Sequence, residues 1–377
     1  MEKNKHLRFF LTLAVVFHTI IFLFTSCSSN KPIRIGFIGG TTGRVADLGL
    51  SGRDAVQMAI ESVNTNGGIH GRQIQLIVTD DQQNPDKARQ VVEELIKEQV
   101  DAIIGPMTSD MAMVVAPLIN AAKIVTVSPT ASTAKLSGQD DYFFKISTST
   151  RQNGAKSGAY HAQAGKMHRL AVLHDLGNQA YSESWLKNFT RPFLERKGNE
   201  IVGVIGFDTR RGITFTKVVN KAFALNPDGI LIIANSMDSA LICQQVRKIN
   251  SRVHLTLADW GATERLLELG GKAVEGVTVI QVFDRKSKKP RYLAFREKYI
   301  ERFKQEPGFA GVLGYDAATV VINALQYQKK GQSLKDVLLE TEFEGLQAVI
   351  NFDTFGDRGQ TTATMGIISH QKFMSLE

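Results

Sequence analysis

Short apolar runs alternate with amphipathic stretches along most of the chain. Residues 33–38 are apolar except for Arg34 and stop at Gly39-Gly40, the mark of a buried strand. Ala55, Met58, Ala59 and Val63 follow at spacings of three and four, which predicts a helix ended by Asn66-Gly67-Gly68. The series continues with strand 74–78, a helix from Pro85-Asp86 to about Lys97, strand 102–104, helix 111–122 and strand 124–127. This alternation implies a parallel sheet with helices on both faces. After residues 142–146 it restarts. Helices 151–164, 182–196, 214–224 and 239–249 interleave with strands 170–174, 201–205, 229–233 and 253–257. A short helix near Thr263, strand 277–282 and helices 292–304 and 310–330 complete the pattern. The fold class is therefore α/β, in two doubly wound units of similar plan.

Composition agrees and narrows the chemistry. The 377 residues are 43% hydrophobic and 22% charged, as in globular proteins, and suit two or three domains. The net charge of +8 falls to +6 without the first 26 residues. Arg285, Lys286, Lys288, Lys289 and Arg291 form one short basic cluster in a predicted loop, not a stripe, so no nucleic-acid partner is expected. Two cysteines exclude a disulfide scaffold and a Cys-based zinc site. The eight histidines are scattered, so no metal is expected. Residues 36–43 lack the G-x-G-x-x-G spacing, and Asp80 lies 44 residues after Gly36 where a dinucleotide site wants an acid ~20 on. With no phosphate loop and no nucleophile elbow either, neither a cofactor nor an enzymatic activity is expected. Asp80 and Asp81 are adjacent on a strand end and face opposite ways, which reads as a solvated strand end.

The amino terminus reads as an address. Lys3, Lys5 and Arg8 precede an apolar run over 9–24, shorter than the ~20 residues of a membrane span but suited to a signal peptide. Only this segment looks like a membrane segment. Leu23-Phe24-Thr25-Ser26-Cys27 resembles a bacterial lipobox, which implies cleavage of residues 1–26 and lipidation of Cys27. A simple signal peptide and an uncleaved anchor are the alternatives. The mature chain would be extracytoplasmic, anchored to a membrane by its lipid or free in the periplasm. Cys243 would then be the only thiol, and its neighbours Ala240, Leu241, Ile242 and Val246 predict a buried, structural one.

Open parallel sheets bind ligands at the carboxyl ends of their strands. The loops to inspect are 39–48, 105–109, 128–133, 174–181, 235–237 and 259–261. They are rich in hydroxyls: Ser109 before a predicted helix, and Thr130, Ser132 and Thr133 beside another. Such groups at a helix start can hold a carboxylate or simply cap the helix, and composition alone favours capping.

The order of several motifs points further. Ile33-Arg34-Ile35-Gly36, Asn66-Gly67-Gly68-Ile69-His70-Gly71, Asp80-Asp81 with Pro85 and Ala88, Ile103-Ile104-Gly105-Pro106, Ser128-Pro129-Thr130-Ala131-Ser132 and Gly314-Tyr315-Asp316-Ala317 occur in that sequence. Over residues 32–370 the chain resembles the type I periplasmic binding proteins, in the branch of the leucine/isoleucine/valine-binding proteins of bacterial ABC importers. The resemblance implies two lobes, 32–149 plus 282–349 and 150–281 plus 350–377, joined by three crossing strands. It implies a hinge that closes on a small solute, such as a branched-chain amino acid, and an ABC permease as partner. It assigns Ser109 and Ser132 to the ligand carboxylate, the Thr130 carbonyl to the ammonium, and Tyr181 to a cover from the second lobe. Trp260 stands where the family has an ammonium-pairing glutamate, with Asp259 beside it. Either Asp259 serves, or the ligand has no ammonium and Trp260 stacks on an aromatic acid or is core. Leu48 and Asn235 occupy positions that are often aromatic. A ligand-binding sensor of the same fold, signalling to a regulatory partner, is the alternative function.

Overall fold

The computed structural model describes residues 31–359 and 363–376, so Cys27 and the expected signal peptide lie outside the described residues. The first sheet holds β1 (Ile33–Gly39), β2 (Ile74–Asp80), β3 (Ala102–Ile104), β4 (Thr126–Ser128) and β5 (Phe143–Lys145), all parallel, in the order β2-β1-β3-β4-β5. Both faces of β1 are buried, which explains its unbroken apolar run. Ile33, Ile35 and Phe37 pack with Ala55 and Ala59 of α1 (Ala46–Thr65). Ile38 packs with Val91 and Val92 of α2 (Pro85–Lys97) and with Met111 of α3 (Ser109–Ala122). A Cβ at Gly36 would sit 2.7 Å from Leu95, so glycine there lets α2 lie close on the sheet. Asn84 caps α2 by accepting from the Asp86 and Lys87 N–H groups, with Pro85 at the first helical position. Helix α3 begins two residues before the apolar periodicity suggests, because its first turn is the polar pair Ser109-Asp110.

The chain then passes through α4 (Thr150–Ala164) into a second sheet. Strands β6 (Arg169–Asp175), β7 (Glu200–Phe207), β8 (Gly229–Ile233), β9 (His254–Leu257) and β10 (Thr278–Gln281) repeat the plan of the first, in the order β7-β6-β8-β9-β10. Helices α5 (Gln179–Leu194), α6 (Phe215–Phe223), α7 (Ser236–Ile249) and α8 (Glu264–Gly270) connect them. Cys243 lies in α7, fully buried, and burial pushes its thiol up to about 12. Helices α9 (Pro290–Phe303), α10 (Gly308–Tyr327) and α11 (Leu334–Glu340) and the short pair β11 (Phe343–Glu344) and β12 (Val349–Ile350) return to the first lobe. There α10 lies on α1: a Cβ at Gly314 would meet the Gly52 carbonyl oxygen at 2.9 Å. Among the described residues, α10 is the one helix long and apolar enough to cross a membrane, but most of it is buried in this packing.

The last strands, β13 (Thr364–Ser369) and β14 (Lys372–Ser375), add to β10 as an antiparallel hairpin, so the second sheet is mixed. The apolar pattern does not announce it. Its two-residue turn places His370 and Gln371 at φ 52° and 55°, where glycine or asparagine is the usual sign. The Glu275 carboxylate accepts both turn N–H groups, at 3.0 and 2.7 Å, and holds the turn instead.

Three connections join the sheets: 146–149, 282–289 and one that begins at 351 after β12. The first and third run together. The Lys145 N–H donates to the Gly356 carbonyl at 3.0 Å, and the buried Lys145 ammonium meets Asp357 at 2.8 Å and Ser137 at 2.6 Å. Burial pulls the Lys145 pKa below its ordinary value, against the attraction of Asp357.

One sequence expectation is corrected at the end of β2. Asp80 does face water in part, but Asp81 is fully buried. Its Oδ1 accepts the Gln83 N–H at 2.8 Å and its Oδ2 has no partner. Burial pushes the Asp81 carboxyl up from 3.8 to about 6. Between those values the unfolded chain is ionised while the folded one keeps its proton, so stability falls as pH rises through this window. We expect Asp81→Asn to gain about 3 kcal/mol relative to wild type between pH 3.5 and 7.5, read from urea unfolding at both pH values. A pH-independent difference would mean that Asp81 is ionised in the fold.

Candidate ligand site

The order β2-β1-β3-β4-β5 reverses direction between β1 and β3, and the second sheet does the same between β6 and β8. The loops after these strands face one another. Between them lies a small cavity lined by Leu48, Met107, Ser109, Thr130 and Phe309 from one side and Asn178, Tyr181, Asp259 and Trp260 from the other. Its volume is about 10 Å³, room for about one water molecule.

Ser109 is the first residue of α3 and is buried. Its Oγ accepts the N–H groups of Ser132 at 3.2 Å and Thr133 at 3.1 Å. Two donors occupy both lone pairs of a hydroxyl, so the Ser109 proton is left to be given away. The Thr130 hydroxyl donates to the Met107 carbonyl and is thereby committed. This side of the cavity therefore offers a hydroxyl donor at the positive end of a helix.

The opposite side offers an acceptor. Asp259 is buried, and its Oδ1 accepts from the Tyr181 hydroxyl at 2.9 Å and from the Trp185 indole N–H at 2.8 Å. The Trp260 N–H donates to the Tyr181 oxygen at 3.2 Å, and the two rings meet edge to face with centroids 5.5 Å apart. Burial holds the Asp259 carboxyl above its ordinary pKa, while the bonds from Trp185 and Tyr181 pull the other way. The Tyr181 phenol is thus a support for Asp259, its own pKa raised by burial and by that carboxylate.

The model of the periplasmic binding protein family matches residues 32–372. The chain belongs to that family. Within it the chain is of the leucine/isoleucine/valine-binding branch. The leucine-, isoleucine-, valine-, threonine- and alanine-binding protein of Pseudomonas aeruginosa is 22% identical over 86% of this chain and 87% of its own. A leucine-binding protein of Thermotoga maritima superposes with a TM-score of 0.82 at 24% identity, covering 92% of this chain and 98% of its own. An ABC-transporter solute-binding protein of R. palustris, solved with benzoate, reaches 0.83 at 19% identity, over 92% and 95%.

Six of the residues that the resemblance singles out meet at this cavity of the periplasmic binding protein fold: Leu48, Ser109, Thr130, Tyr181, Asp259 and Trp260. Ser132 adjoins it through its bond to Ser109. Asn235 does not line it. Its Oδ1 accepts the Asp238 N–H and its Nδ2 donates to the Asp238 carboxylate, both at 2.9 Å, so it caps α7. The spacing Asn235 to Asp238 at a helix start is a capping signal that the sequence already carries. Trp185, Asn178 and Phe309 escape sequence reasoning. Trp185 and Phe309 sit in ordinary apolar helix patterns, and Asn178 precedes α5 as any cap residue would.

The two lobes also touch outside the cavity. The Asp47 Oδ2 accepts from the Ser236 hydroxyl at 2.6 Å and the Thr263 hydroxyl at 2.7 Å. Arg44 pairs with the buried Asp238. Asp110 and the α5 start exchange bonds, Asp110 N–H to Asn178 at 3.0 Å and Ala180 N–H to Asp110 at 2.6 Å. Removing the acceptor at Asp47 breaks two of these contacts, worth about 1 kcal/mol each. We expect Asp47→Ala to raise the radius of gyration in X-ray scattering of the ligand-free protein, as lobes held less tightly separate. An unchanged scattering profile would show that these bonds do not hold the lobes together.

Proposed function

We propose that this protein is an extracytoplasmic solute-binding lipoprotein that captures a small carboxylate-bearing solute, a branched-chain or related amino acid, and delivers it to an ABC importer. Its lobes, 32–149 plus 282–349 and 150–281 plus 350–377, close about the three connections. The observation that carries this reading is the Ser109 hydroxyl: both of its lone pairs are filled by loop N–H groups, and its proton is presented to a buried cavity. A carboxylate oxygen is the acceptor that such a donor suits. Asp259 on the facing wall takes the ammonium, and Trp260 and Leu48 shape the space for the side chain. The cavity has room for only about one water, so a solute enters by separation of the lobes and is enclosed by their return. The relatives named for leucine, isoleucine and valine support the amino-acid class. Lipidation at Cys27 would tether the capture domain near its permease.

A second reading has its own support. Asp259 Oδ1 already holds two donors, and an indole adjoins Ser109, so an aromatic acid without an ammonium also fits. The benzoate complex of a structural relative favours it.

A thermal-shift screen with leucine, isoleucine, valine and benzoate separates the two. A ligand at 100 times its Kd adds about 2.7 kcal/mol, a rise of roughly 2–4 °C for a protein of this size. Ser109→Ala should weaken whichever acid binds by about 1 to 3 kcal/mol. Ser132→Ala should cost less, because the backbone N–H remains. Unchanged affinity in Ser109→Ala would remove the carboxylate clamp.

A further inference from the structure

Trp260 is a wall shared by two cavities. Beyond it lies a chamber of about 190 Å³, bounded by Arg44 and Gln83 from the first lobe and by Asp175, Asp208 and Arg210 from the second. The loops that build it follow β1, β2, β6, β7, β8 and β9, so it occupies the same strand-end rim as the Ser109 cavity. Asp175 is 5% exposed and lines this chamber. Its Oδ1 accepts the Gly177 N–H at 2.7 Å, and no hydrogen bond or ion pair with the described residues occupies its Oδ2. The guanidinium groups nearby are taken. Arg210 grips Asp208 with two bonds of 2.9 Å, Arg211 also reaches Asp208, and Arg44 pairs with Asp238. Of the buried acids that line this chamber, Asp208 has an ion pair and Asp175 has none. Burial, with Asp238 and Asp208 near, pushes Asp175 up to about 7, against the Gly177 N–H bond and the charge of Arg210, which only partly compensate it.

We propose that this chamber is a second compartment of the solute site, in which Asp175 receives a cationic hydrogen-bond donor at the end of the solute opposite its carboxylate. The inference rests on the reading of the Ser109 cavity as the carboxylate end. The apolar middle of such a solute lies along Trp260, the side chain common to both spaces. Strand β8 separates β6 from β9, so the ends of those two strands, at or just beyond which Asp175 and Asp259 lie, are roughly 10 Å apart. A short α-amino acid reaches one of these acids, and an ω-amino acid reaches past the indole to the other.

Two matched pairs test this by calorimetry on the purified protein: norleucine with lysine, and hexanoate with 6-aminohexanoate. Each pair differs only by the distal ammonium. The expected result is at least tenfold tighter binding of the ammonium-bearing member of a pair, with the ratio lost in Asp175→Asn, which keeps the acceptor for Gly177. Equal affinities within both pairs, or a preference that survives in Asp175→Asn, overturn the proposal. Binding of leucine without lysine or 6-aminohexanoate overturns it too, and leaves the carboxylate reading in place. Failure of every acid, leucine included, removes that reading and this one together. If Asp175→Asn does not fold, the wild-type ratio decides.

Discussion

Parallel strands of one sheet all finish on the same edge, so the loops after them share a rim. Two such rims meet here, and each brings polar groups that the other must satisfy, because an unpaired buried donor or acceptor costs 1 to 3 kcal/mol. The lobes answer that demand mutually. The Asp110 N–H finds Asn178, the Thr133 hydroxyl finds the Ala180 carbonyl at 2.8 Å, and Asp47 finds Ser236 and Thr263. The density of hydroxyls and short acids in these loops follows from that constraint.

Against this background of mutual satisfaction, the groups with spare capacity stand out. Ser109 retains a proton because loop N–H groups fill its lone pairs. Asp259 is held rigidly by Tyr181 and Trp185 but remains a carboxyl in a dry wall. The two face each other with opposite chemistry, and neither is free to turn aside. Side chains fixed in this way are oriented in advance, which lowers the ordering cost of any group that they bind.

The sequence was most legible where burial alone sets the pattern. Strands such as β1 and β8 are buried on both faces and read as continuous apolar runs, so the doubly wound plan followed directly. It was less legible where hydrogen bonds substitute for pattern. The β13–β14 hairpin turns on His370 and Gln371 because Glu275 holds them, and no local signal says so. Asp81 looked like a solvated strand end, yet its loop folds back and buries it. At the site, motif order placed six residues at one cavity, while Asn235 caps α7 and lines the neighbouring chamber beyond Trp260. Trp185 was invisible, since its indole N–H matters only once Asp259 is beside it. The neighbours Asp259 and Trp260 both line the cavity because the short helical turn over Asp259–Gly261 frees their side chains from strand alternation.

The hairpin at the carboxyl end has a bearing on how the chain is made. Until residues 364–369 emerge, β10 has one bare edge, the kind of surface that pairs with strangers. The first lobe waits as well, since α1 stays uncovered until α10 has been synthesised. Neither half can be completed from a contiguous amino-terminal piece. Nearly the whole chain must therefore be at hand before either sheet is sealed, and contacts so distant in sequence form slowly. A nascent chain of this design spends its early life unfinished, and whatever keeps it from aggregating must act during that interval.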